Sequence, residues 1–149
     1  MMKTIGIMGG MGPMATVDLM KKIILATPAK TDQEHIPIVV DNAPQIPDRT
    51  KAILGQGESP VPAMVKSARR LETAGADFII IACNTAHYFL PEVAPQIKIP
   101  VLSIVETAAN EIQKRGYKKV GLLATSGTIR TGLYQKALNA KGIECLTPG

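Results

Sequence analysis

Residues 78 to 82 read Phe-Ile-Ile-Ile-Ala, and nothing polar interrupts them. A strand with one wet face alternates apolar and polar side chains. A run that is apolar at every position has both faces covered, which in practice means a parallel sheet between layers of helix. The rest of the chain fits that frame. Strand patterns at 3–8, 35–42, 99–104, 118–125 and 143–148 alternate with helical periodicity at 14–26, 61–75, 105–116 and 126–142. Pro13 suits a first helical turn, where its missing N–H is no loss. Gly75, Gly116 and Gly142 stand where helices should stop. A polar stretch of 18 residues, 43–60, is too long for a simple connector. The expected fold class is α/β, parallel sheet flanked by helices.

The chain has 149 residues, of which 46% are hydrophobic and 19% charged, enough for a well-buried core. With three Tyr, two Phe and no Trp, that core must be aliphatic. No apolar run approaches the ~18 residues of a membrane span. The opening residues lack a secretory pattern, and two cysteines suit a reducing compartment, so a cytoplasmic protein is expected. The net charge is +5, but the basic residues are scattered in doublets without interleaved aromatics. That pattern argues against nucleic-acid binding, while the mild positive field suits a small anionic substrate.

The segment 3–22 is echoed by 118–137: Lys3, Gly6, Gly12, Thr16 and Lys21 correspond to Lys118, Gly121, Gly127, Thr131 and Lys136. The repeat predicts two pseudo-symmetric lobes, 1–99 and 100–149, the second incomplete in this chain. A counterpart of Cys83 would fall near position 198, past the last residue given.

In parallel sheets ligands gather at the carboxyl ends of strands. Cys83 stands at such an end, followed by Asn84 and Thr85, both helix-capping types. A helix start there would lower the thiol pKa and make Cys83 a base or nucleophile. The alternative is a small buried hydrophobe. His87 reads as a packing or hydrogen-bonding residue rather than a partner for the thiol. "GMGPMA" at 10–15, which includes Met11, satisfies a dinucleotide-binding pattern. It lacks the acidic residue expected about 20 positions on, and Pro13 removes a useful N–H. A tight turn is the simpler reading. Asp48 reads as the N-cap of a short helix, and Arg49 could reach a carboxylate in a cleft. Thr125 and Thr128 could donate to an anion or cap the next helix. Cys145 sits on a strand and is expected to pack as a buried apolar side chain. No His, Cys and carboxylate cluster has metal spacing.

Taken together, "GIMGGMGPMAT", "NAPQIPDRT", "ACNTAH" and "GLLATSGTI" resemble the aspartate/glutamate racemase family, in its aspartate racemase-like branch. The resemblance implies a racemase of aspartate or glutamate without pyridoxal phosphate or any other cofactor, and without metal. It implies two cysteines, one per lobe, acting as acid and base on opposite faces of the α-carbon. Cys83 matches the first. The second lies in a "GCTE" motif that does not occur in this sequence. Met11, Arg49, Thr50, Asn84, Thr85, Ala86, Thr125 and Thr128 are the expected substrate-binding positions. The partners expected are a dicarboxylic amino acid and a second copy of the chain. Two rival readings remain, a non-catalytic binding module of the same fold and an NAD-binding module.

Overall fold

The computed structural model describes residues 2–148. Three parallel strands, β1 (Ile5–Gly9), β2 (Ile38–Asn42) and β3 (Phe78–Ile81), form the first sheet in the order β2-β1-β3. Ile7 lies beside Val40 on one side and Ile80 on the other. The second sheet pairs β4 (Lys119–Gly121) with β5 (Glu144–Leu146), again in parallel. The α-helices are α1 (Pro13–Ala26), α2 (Arg49–Ile53), α3 (Val61–Thr73), α4 (Leu90–Val93), α5 (Ile104–Lys114), α6 (Ser126–Thr131) and α7 (Leu133–Asn139).

The strands of the first sheet are rich in Ile and Val, whose branched side chains suit a pleated surface. β1 is buried at all five positions, as a central strand covered on both faces must be. The helix α3 presents Met64, Val65, Ala68 and Leu71 to the sheet. The buried side chains fall into two clusters. One runs from Met8 to Val93, with Ile97, Ile99 and Val101 against it. The other is small, built on Val105, Ala109, Ala137, Leu138 and Ile143.

Three expectations need correction. Residues 99–104 do not form a strand. Val101 makes an isolated parallel bridge to Ile79, held by Ile79 N–H to Pro100 O (2.9 Å) and Leu102 N–H to Ile79 O (2.8 Å). Pro100 has no N–H to extend the ladder, and Ser103 already caps α5 by accepting from Glu106 N–H at 3.3 Å. The helix expected over 126–142 is broken in two by Gly132, whose φ of 66° is left-handed. The segment after Cys83 is not a regular α-helix but a 3-10 turn, Thr85–Phe89, leading into α4. Asn84 makes no capping bond there.

His87, 4% exposed, links the two halves. Its Nδ1–H donates to Cys83 O (2.8 Å), with Asn84 O at 3.2 Å, and its Nε2 accepts from Ile104 N–H at 3.1 Å. One ring nitrogen donates and the other accepts, so the imidazole is neutral. Burial pushes its pKa below the ordinary 6.5, against the smaller raising effect of the two carbonyls. The unfolded chain therefore binds a proton that the folded chain refuses. Stability from this residue is complete above about pH 6.5 and is lost as pH falls through the lower folded value. Asp48, its carboxyl held below the ordinary 3.8 chiefly by Lys51 N–H, acts only at more acid pH. Thermal unfolding midpoints should accordingly fall between pH 7.5 and 5. The variant His87→Gln should start roughly 1–3 kcal/mol less stable at pH 7.5, as expected for a lost buried hydrogen-bond partner. Its pH dependence in that window should be flatter. A wild-type midpoint flat over this range would contradict the neutral strut.

Candidate active site

The order β2-β1-β3 decides where the site lies. The chain leaves β1 toward β2 on one side and later returns to β3 on the other. The connections after β1 and β3 thus diverge and open a crevice at their carboxyl ends. β1 ends at Gly9 and the segment after it begins with Gly10, while that after β3 begins with Ala82 and Cys83. A third wall is the end of β4 and the segment after it, from Gly121 to Thr125.

The glycine turn after β1 is explained by packing. A Cβ on Gly9 would overlap the side chain of Thr16, and one on Gly10 would overlap the backbone of Ala43. Gly10 N–H donates to Thr16 Oγ1 at 2.9 Å, which ties the start of α1 to the end of the strand. The turn lets a helix and a loop press against β1, in keeping with the simpler reading of the sequence pattern.

These segments enclose a cavity of ≈ 610 Å³. Met11, Arg49, Thr50, Cys83, Asn84, Thr85, Thr125 and Thr128 all line it, drawn from positions as distant as 11 and 128. Ala86 does not line it. It is 0% exposed and packs into the first core, since it sits on the inner side of the 3-10 turn. Met11, 7% exposed, belongs to the same core and forms the apolar part of the wall.

The polar groups are held by one another. Thr85 Oγ1 lies 2.8 Å from Thr128 Oγ1 and 3.2 Å from Thr125 Oγ1, and the last two are 3.2 Å apart. Thr125 also caps α6 by accepting from Thr128 N–H at 3.3 Å, so the capping role is present. Asp48 caps α2, accepting from Lys51 N–H at 2.8 Å, and so places Arg49 at the first turn. Arg49 Nη1 donates to Ile46 O (3.0 Å) and Pro47 O (2.8 Å). Its Nε is buried without a partner. The guanidinium is thus anchored at one end and has an unanswered donor at the other.

Two features, one lining the cavity and one beside it, were not legible as functional. Tyr134, on α7, reaches the cavity and donates from its hydroxyl to Asn84 Oδ1. Its signal was its rarity, one of three tyrosines, two residues past a helix-breaking glycine. Gly127 is where the lobes touch: a Cβ there would meet Thr50 Oγ1 at 2.6 Å and Thr85 Cγ2 at 3.2 Å. Only its repeat partner, Gly12, could have drawn attention to it.

The two cysteines differ less in burial than expected, since both are half-buried. Cys145 lies on an edge strand of a two-stranded sheet, too thinly covered for full burial. It does not line the cavity. Among the described residues no group of three His, Cys, Asp or Glu side chains could hold a metal. No helix there is long and apolar enough to cross a membrane.

The family model described as Asp/Glu/Hydantoin racemase matches residues 8–149. The chain belongs to that family. It is 33% identical over 148 residues to the broad specificity amino-acid racemase RacX of Bacillus subtilis (strain 168), covering 95% of this chain and 63% of the relative. The fold superposes on the aspartate racemase of Picrophilus torridus with a TM-score of 0.91 at 40% identity, over 98% of this chain and 62% of that one. The glutamate racemase of Aquifex pyrophilus gives a TM-score of 0.69 at 25% identity, over 97% and 54%. The chain therefore spans less than two-thirds of the length of each of these relatives.

Cys83 opens onto the cavity, whereas burial pushes the Cys145 thiol above its ordinary 9.0. Alkylation requires thiolate. Iodoacetamide at neutral pH should modify Cys83 first in the folded protein, read by peptide mass spectrometry. Preferential labelling of Cys145 would reject the assignment.

Proposed function

We propose that this chain carries one half of the proton-transfer site of a cofactor-independent racemase acting on aspartate or glutamate. The supporting observation is the placement of Cys83, a strand-end thiol in a cavity also lined by Arg49, Asn84 and the hydroxyls of Thr50, Thr85, Thr125 and Thr128. Family membership and the aspartate and glutamate racemases among its relatives support the same reading.

The chemistry follows from the parts. The Cys83 thiolate takes the α-proton and becomes a thiol. The electron pair left on the α-carbon spreads into the α-carboxylate. Asn84, Thr85, Thr125 and Thr128 hold that carboxylate by hydrogen bonds, which strengthen as charge builds on it. Arg49, which lines the same cavity, receives the side-chain carboxylate through its guanidinium. Inversion needs a second acid on the opposite face. The family resemblance assigns it to a second cysteine, and Cys145 is not placed to serve. The partner we propose is a second copy of the chain. Met14, Val17, Ile24 and Leu25 stand exposed along one face of α1, and sedimentation at micromolar concentration reports whether copies pair.

The test is incubation with L-aspartate or L-glutamate in heavy water. The 149-residue chain should exchange the α-proton for deuterium with retention of configuration. Cys83→Ala should slow this by roughly 100-fold or more. Arg49→Ala should weaken succinate binding by roughly 1.5–3 kcal/mol, the range for a hydrogen bond to a charged group. Succinate binding without exchange would favour the binding-module reading. Full racemisation by a verified 149-residue chain would mean that a residue within it, or a second subunit, supplies the other acid.

A further inference from the structure

Asn84 adjoins Cys83, yet its side chain does none of the work its position suggests. Its backbone is helical (φ −61°, ψ −51°), and it caps nothing. The side chain stands exposed in the cavity. Among the described residues its one hydrogen-bonding partner is Tyr134, 50 positions away in the second lobe.

A free Asn side chain is a poor recognition element, because rotation by half a turn exchanges its donor and acceptor ends. A phenol can donate to one end of the amide or accept from the other, and in this structure the hydroxyl faces Oδ1. Tyr134 is protonated at neutral pH, and burial pushes its pKa above the ordinary 10.0, so its O–H is available to donate. The amide end that accepts is the carbonyl, Oδ1. The NH2 end, with two donors, is then left for a ligand.

We propose that Tyr134 is a positioning residue, which fixes the Asn84 amide with its NH2 group offered to the ligand beside Cys83. This rests on the reading that an anionic substrate occupies the cavity. The geometry explains the break at Gly132. An uninterrupted helix from Ser126 would carry residue 134 onward in the direction of α6. The left-handed residue redirects the chain at Leu133, and Tyr134 reaches across to the first lobe. The contact also makes the donor set depend on lobe contact, since the amide belongs to one lobe and its anchor to the other.

The experiment is a double-mutant cycle on the 149-residue chain, with succinate as the probe and calorimetry as the readout. Tyr134→Phe keeps the ring and removes only the hydroxyl. It should weaken succinate roughly three- to tenfold, the range for one modest hydrogen bond. In an Asn84→Ala background the same substitution should change nothing further, because Tyr134 acts through Asn84. A second measurement does not depend on ligand. The Asn84 side-chain amide signals, assigned by nitrogen-15 NMR, should shift in Tyr134→Phe while the backbone spectrum confirms the fold. If wild-type protein binds neither succinate nor L-aspartate, the functional reading fails, and the amide signals alone judge the contact. Unmoved amide signals would overturn the proposal. So would an equal loss of affinity with and without Asn84, which would make Tyr134 only a strut between lobes.

Discussion

The central strand β1 has a neighbour on each side, and the rest of the structure follows from that placement. A strand with partners on both edges and helices on both faces has no route to water, which is why all five of its residues are buried. The chain must leave it in one direction and come back on the other side. That reversal opens the crevice, and every residue that matters to the site is set by how closely the connecting segments can approach β1. Gly9 and Gly10 permit that approach, because side chains there would collide with Thr16 and Ala43. Thr16 converts the close contact into a hydrogen bond, so the turn is fixed in direction as well as in distance.

The second half depends on the first. Among the described residues its buried apolar core has five members, too few to hold a two-stranded sheet firmly. Polar contacts make up part of the deficit at the junction. His87 joins the Cys83 carbonyl to the start of α5, three threonine hydroxyls meet across the lobes, and Gly127 lets α6 sit against Thr50 and Thr85. Each such hydrogen bond contributes about 0.5–1.5 kcal/mol. These links also bear on the site, since His87 holds the carbonyl of the residue proposed to move the proton.

Much of this was legible in the residues. The unbroken apolar run at 78–82 specified a parallel strand, although Phe78 and Ile80 on one of its faces are only half-buried, and the polar residues directly after it specified which end faces the cavity. Pro13, Asp48 and Thr125 marked helix starts through local chemistry that tertiary contacts did not override. What failed was read from pattern where geometry decided. Residues 99–104 are apolar enough for a strand, but a proline and a capping serine leave room for one bridge. Asn84 has the composition of a cap, yet its backbone is already helical, so no side-chain bond can form there. Tyr134 was marked only by its rarity and by the glycine before its helix, because its meaning lies in a contact 50 residues away.

The three threonine hydroxyls carry an accounting of their own. Three O–H groups facing one another at 2.8 to 3.2 Å supply three protons for three contacts, and a closed ring uses them all. An anion that draws one proton outward leaves one oxygen pair with none between them. The gain is then only the difference between a charge-assisted bond and a neutral one, about 1 kcal/mol. Rotation of one hydroxyl also obliges its neighbours to choose new acceptors. The trio would behave as a single cooperative donor rather than three independent ones, holding its charge loosely and releasing it with little penalty.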